Sequence, residues 1–384
     1  MYASVATRNA DLTDLKNVLL DQQSRKLDVV VSARHLHAEG GNLAIDDTDP
    51  VLSEDGVTST TGLFRPTHLF DEGVSDKLGI PRAYLTRMRQ EAIGLYDTNV
   101  NGWLRKMEAT PDKKFLVRVL RGHTGGSADG TGGVARALLS DGYRIIDNLD
   151  VLLAVLDGIR RTGLNVTIDG CDLTERRMYV RVVAPQIHAL APALLKRYRS
   201  PFTGAMGADN PVMFAGFVVT NSETGCGAFT LTPRIVAQVC GNGYTISRDA
   251  ERNVHLGGRL DEGVVAWSDQ TRQSYLDLIT NKSKDAVQKF LDPVYLSAKI
   301  DQLQKNAHTP VTDPLETIKF VGVQLGFSQE RRDEILDHFI KGADATAGGI
   351  MHAVTSVARG QDDADIAHDL EVKAPRALEL AARR

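Results

Sequence analysis

Cysteine is scarce: the 384 residues hold three, at Cys171, Cys226 and Cys240. An odd set with no C-x-x-C pair excludes a disulfide scaffold and a cysteine zinc site, and it suits a reducing compartment. The three read as small buried hydrophobes. Long apolar runs are missing as well. No stretch reaches the roughly 18 residues of a membrane helix. Met1–Leu20 carries Asp11, Asp14 and Lys16 where a signal segment would be apolar. Nucleotide and metal motifs are also absent. There is no G-x-x-x-x-G-K-[ST], and the loop Gly122–Gly133 has six glycines but no lysine to reach a phosphate. It opens no evident helix, so a dinucleotide fingerprint fails too. There is no H-E-x-x-H. His35 and His37 lack a carboxylate–histidine partner, and Asp46, Asp47 and Asp49 lack the glycine and distal glutamate of a calcium loop. No cofactor and no metal are therefore expected.

What is present is ordinary globular composition, with 42% hydrophobic and 24% charged residues and a net charge of −4. The length suits two to three domains. A chain of this size buries about three quarters of its unfolded surface without staples.

The apolar pattern changes period along the chain. Val29–Val31, Phe115–Leu120 and Val134–Leu139 read as strands, and Tyr143–Ile146 as a further strand segment. Leu164–Ile168 with Arg177–Val183, and Val212–Thr220 with Gly227–Leu231, read as two hairpins. Cys240–Gly243 is a turn. Leu69–Leu78 and the segment after Ile80-Pro81 are helical. Leu149, Leu152, Leu153, Leu156 and Ile159 form a helical stripe with Asp147 or Asn148 at its start and Gly163 at its end. Ala191–Tyr198 reads as helical. So does Val264–Ala307, broken at Asp292-Pro293, and so does the chain from Pro314 onward. Segregated strands and helices predict an α+β fold: a central antiparallel sheet with hairpins and packed helices, followed by a helical C-terminal region. The expected divisions are a mixed acidic region at 1–112, a strand-rich basic core at 113–263 and helices at 264–384.

Charge is unevenly spread. Residues 1–112 hold 12 basic against 17 acidic residues, residues 113–200 hold 14 against 8, and residues 201–384 hold 19 against 24. The middle is a basic island. A basic, strand-rich surface with aromatics is what a single nucleic-acid strand requires. The candidate phosphate contacts are Arg160, Arg161, Arg176, Arg177, Lys196, Arg197 and Arg199. Tyr143 and Tyr198, with Tyr179, are the candidate base-stacking rings. The alternative is a solvated surface whose cations are paired with acids.

Ser222 and Glu223 lie in Asn221-Ser-Glu-Thr-Gly225, which is not G-x-S-x-G. The segment reads as a polar turn in which Gly225 supplies an unusual dihedral. Glu223 is a candidate general acid with no partner evident in sequence. Nothing near Cys226 in the sequence lowers its pKa.

Three stretches together resemble the DUF932 family of phage- and plasmid-type proteins. They are Leu139–Asn148 running into its helix; Gly216–Gly227 with Pro233 and Val239–Gly243; and Leu78–Tyr84 followed by Asn99–Leu104. The residues that carry the likeness include Asp141, Tyr143, Asn148, Asn221, Ser222, Glu223, Gly225, Asn242 and Gly243. The resemblance implies a mobile-element protein of the bacterial cytoplasm and supplies no reaction. Element order is also loosely similar to the core of ring-forming single-strand annealing proteins. Binding of single-stranded DNA by a homo-oligomer, with annealing in recombination, is thus the leading expectation. A non-enzymatic interaction protein and an enzyme built on Glu223 are the alternatives.

Overall fold

The computed structural model describes residues 7–46, 48, 51–53, 56–108, 113–122, 131–253, 263–264 and 269–384. Asp47, Asp49 and most of the glycine-rich loop lie outside the described residues. In chain order the first elements are β1 (Thr7–Ala10), α1 (Leu12–Arg25), β2 (Lys26–Ser32), β3 (Leu36–Glu39) and β4 (Asn42–Ile45). Next come β5 (Val51–Ser53), β6 (Gly56–Thr58), β7 (Gly62–Pro66), α2 (His68–Leu78), α3 (Arg82–Glu91) and α4 (Ile93–Glu108). The middle holds β8 (Lys114–Arg121), β9 (Gly133–Ser140), α5 (Asn148–Thr162), β10 (Thr167–Leu173), β11 (Met178–Leu190) and α6 (Pro192–Leu195). It continues with β12 (Val212–Asn221), β13 (Phe229–Ala237), β14 (Gly243–Thr245), β15 (Glu251–Asn253) and β16 (Gly263–Val264). The rest is helical: α7 (Asp269–Phe290), α8 (Pro293–Ala307), α9 (Pro314–Leu325), α10 (Gln329–Gly342), α11 (Ala347–Arg359) and α12 (Ala364–Ala381).

The fold is α+β, with a helical C-terminal region. The strands form two main sheets. One runs β16-β2-β8-β9-β7-β4-β3, antiparallel except for the β7–β9 pair. The other is the antiparallel β1-β10-β11-β12-β13-β14, with β15 on β13. The segment boundary expected at 112/113 falls inside the first sheet, because β8 pairs along all of β2, from Leu120 on Lys26 to Lys114 on Ser32. β1 crosses the other way to pair with β10. The basic island is therefore split between two sheets. Tyr143–Ile146 is not a strand, and the helix expected over Ala191–Tyr198 is the single turn α6.

Period-two alternation assigns the faces. Phe115, Val117 and Val119 of β8 pack beneath α2–α4 with Leu85, Tyr96 and Leu104. Met213, Ala215, Phe217 and Val219 of β12 point into the larger core, with Val151, Leu152 and the C-terminal helices. Helix starts are set by side-chain caps that satisfy otherwise orphaned N–H groups. Asp292, Asp313, Ser328, Thr346 and Asp363 cap α8 to α12 in this way. The break expected at Asp292-Pro293 is such a cap, with Pro293 at the first helical position.

The opposite face of β8 carries a buried charge. Arg118 donates to Asp28 at 2.7 Å, to Asp147 at 2.8 Å and to the Glu223 carbonyl at 2.7 Å. Asp28 sits directly across the β2–β8 ladder. Lys26 also pairs with Asp147. Burial by itself raises the Asp147 pKa, but Arg118 and then Lys26 more than offset this and hold it at about 2 against an ordinary 3.8. A carboxylate depressed in the folded state adds stability above its unfolded pKa and loses it as pH falls through the folded one. Acid melts should therefore lose this contribution between about pH 4 and pH 2. Asp147→Asn should show a shallower decline over that window. An unchanged acid profile in the variant would mean that Asp147 is not the titrating group.

Candidate functional site

The residues of the family-like stretches fall in two places. Most meet at the junction between the sheets. Glu223 accepts from Arg136 at 2.9 Å and from the Asn148 backbone N–H at 2.6 Å. Asn221 donates to the Ile146 carbonyl and to Asn148 Oδ1. Tyr143 donates to the Ser222 carbonyl at 3.0 Å. The turn is tight: Gly225 has φ +85°, and Ser222 Oγ accepts from the Cys226 N–H at 2.9 Å. Both Glu223 carboxylate oxygens are engaged and the residue is 7% exposed, so it is a tie between sheets and not an available acid. Burial pushes the Cys226 thiol up, and Arg176 only partly opposes this. Asp141 is half-buried in the turn before this junction.

Asn242 and Gly243 belong to a different site, a cleft of about 280 Å³ on the outer face of the second sheet. Alternation builds its floor. Asp172 of β10, Tyr179 and Arg181 of β11, Val218 of β12 and Arg234 of β13 line it on one side. Helix α12 closes the other side with His368 and Glu371, and Arg359 at the end of α11 reaches the rim.

Glycines make room for the arginines. Gly170 lies across the ladder from Arg181, and a Cβ there would sit 2.5 Å from the guanidinium. Gly243 is two pairs away from Arg234 on the β13–β14 ladder, on the same face, and its missing Cβ leaves the space that the Arg234 guanidinium fills. Arg359 lies over Gly241, 3.2 Å from where a Cβ would be.

Charge is uneven within the cleft. Arg234 is fixed, bidentate on Glu371 at 2.8 and 3.0 Å and on Asp169 at 2.9 Å. At the other end, Arg8 and Arg181 share the one carboxylate of Asp172. Arg359 makes no ion pair among the described residues and lies 5.0 Å over the ring of Phe202, which is 45% exposed. The Asp172 end and the rim are thus net positive. His368 packs at a tilt against Tyr179, with ring centroids 4.8 Å apart. Burial pushes its pKa down to about 4, with Glu371 opposing, so it is neutral at pH 7.

The cations expected to contact phosphate lie elsewhere, on three elements. Arg160 and Arg161 end α5 and pair with Asp157 one turn back. Arg176 and Arg177 are at the β10–β11 turn, where Arg176 pairs with Glu72 of α2 and Arg177 donates to the Cys226 carbonyl. Lys196, Arg197 and Arg199 are exposed around α6, and Arg199 donates to the Gly204 carbonyl at 3.3 Å. The stacking expectation needs correcting. Tyr198 is 1% exposed and packs 4.4 Å from His352, and Tyr179 is 1% exposed with its hydroxyl on Asp365. Neither offers a face to a base. Tyr143 is half-buried against Ser222. The exposed ring beside a guanidinium is Phe202. Sequence reading missed Phe202, Arg8, Arg181, Arg234 and Arg359. The usable signal was glycine in strands and turns opposite arginine.

Among the described residues there is no group of three or more metal-ligating side chains, and no helix is long and apolar enough to cross a membrane. No known family, curated protein or solved structure matches the chain. Fold and site together define a two-sheet α+β protein with an arginine-lined cleft closed by its last helix.

Proposed function

We propose that this protein binds single-stranded nucleic acid through the arginine-lined cleft. The observation that carries the proposal is the positive end of the cleft: Arg8 and Arg181 on one shared carboxylate, with Arg359, which makes no ion pair among the described residues, over an exposed ring at the rim. Guanidiniums held in place attract phosphate without further ordering cost. The Arg359–Phe202 pair gives a stacking surface that any base fits. A stacking platform needs a base free of its duplex, which favours a single strand. About 280 Å³ is at the small end of ligand pockets and takes one nucleotide unit, not a duplex groove. The mobile-element setting and the cytoplasm implied by the DUF932 resemblance go with this proposal, as does a role in annealing.

The test is fluorescence anisotropy with labelled oligo(dT) at several salt concentrations. Affinity should fall as salt rises. Phe202→Ala should weaken binding by about 1–3 kcal/mol, the usual worth of one stacked base. Arg359→Glu should reduce the salt slope by about 0.7 per lost phosphate contact. Binding that is absent at low salt, or independent of salt, overturns the proposal.

A further inference from the structure

Helix α12 lines a second opening. Its first half closes the arginine cleft at Ala364, His368 and Glu371. Glu379 in its last turn, with Ala382 and Arg383 just past its end, borders a groove of about 420 Å³. Steps of three and four residues connect 364, 368, 371, 375, 379 and 382, so both openings lie along one stripe of the helix. A second segment runs beside that stripe in the same direction. Gly241, Asn242 and Gly243 are in the cleft, Thr245 reaches Glu371 at 3.5 Å, and Arg248 in the 3-10 turn Ser247–Asp249 faces Glu379 at 3.9 Å. The groove is thus at the far end of the same seam.

Its charge is positive. Arg248, Arg376 and Arg383 line it against the single carboxylate of Glu379. Arg376 takes that carboxylate at 2.5 Å. Arg248 is only loosely paired with a side chain 75% exposed, and Arg383 makes no ion pair among the described residues. From His368 to Glu379 the helix rises about 16 Å at about 1.5 Å per residue. A stacked strand, with a phosphate about every 3.4 Å, spans that in about five nucleotides.

We infer that one nucleic-acid strand crosses the outside of the closed seam between α12 and residues 243–248, held by the arginine cleft at one end and by Arg248 and Arg383 at the other. The inference rests on the reading of the cleft given above and adds a second contact to it. A strand long enough to reach both ends gains from the second contact at the effective concentration set by the first.

The experiment compares wild-type protein with the Arg248→Glu, Arg383→Glu double variant on oligo(dT) of about three and about eight nucleotides. Wild type should bind the longer oligomer about tenfold more tightly. The variant should lose most of that gain, and its salt slope on the longer oligomer should drop by about 1.4 for two contacts. It should bind the shorter oligomer as wild type does, which also reports an intact fold. An equal length gain in the variant overturns this crossing and leaves the cleft standing, as does a wild-type protein indifferent to length. Loss of the shorter oligomer in the variant places the two arginines' effect in the cleft or fold and also overturns it. Wild-type protein that binds neither oligomer overturns the nucleic-acid reading itself.

Discussion

Replacing Arg118 by alanine is expected to cost about 3–5 kcal/mol of folding stability, the usual effect of stranding a buried charge. The side chain is among the largest fully buried ones, at 1% exposure. It serves Asp28, Asp147 and the Glu223 carbonyl at once. Among the described residues, removing it leaves Asp28 at 7% exposure with no cation and Asp147 with Lys26 alone. Asp28 comes from the first sheet, Asp147 from the start of α5 and Glu223 from the loop after β12. The loss therefore falls on the joint between the two halves. Replacing Arg118 by methionine together with Asp28 by leucine should recover much of it, because an apolar pair of similar volume carries no desolvation penalty. Urea denaturation of the two variants measures both. A cost under about 1 kcal/mol for Arg118→Ala would mean that the joint is wetter than its burial implies.

Local elements were legible because local rules decide them. The stripe from Leu149 to Ile159 specified α5, and Gly163 ends it in the left-handed region at φ +70°. Asp292-Pro293 marked a cap and first-turn proline. Strand partners were less legible. Nothing in the period of β8 says that it joins β2, about ninety positions earlier, so a boundary drawn at 113 cut a sheet. The basic island failed as a guide for a related reason. A segment sum counts Arg118 and Arg136 as surface charge, yet each has a carboxylate partner brought from another part of the chain. Asp147 was expected only as a helix cap, but its oxygens go to Arg118 and Lys26 and make no cap bond. Arg8 and Arg359 come from opposite ends of the sequence, so their meeting in the cleft is tertiary information.

Gly243→Ala should damage both the fold and the cleft, with a stability loss of about 3 kcal/mol and loss of oligo(dT) binding. A Cβ at Gly243 would overlap the Arg234 guanidinium, with three of its atoms inside contact distance. Arg234 cannot step aside cheaply. It is 3% exposed, bidentate on Glu371 and also bonded to Asp169, so moving it breaks ion pairs on α12 and β10 together. Glu371 is on the helix that closes the cleft, so the wall and the floor would shift as one. Adding Arg234→Met should relieve the overlap but strand Glu371, recovering little unless Glu371→Gln is added as well. A neighbouring control separates this from turn strain. Gly241 has φ +66°, and its Cβ would meet Arg359 at 3.2 Å, a side chain with room to move toward solvent. Gly241→Ala should therefore cost about 1 kcal/mol, chiefly from the left-handed backbone, and should weaken binding less than Gly243→Ala does. Equal effects at the two glycines would place the damage in the turn itself and not in the buried ion pairs behind it.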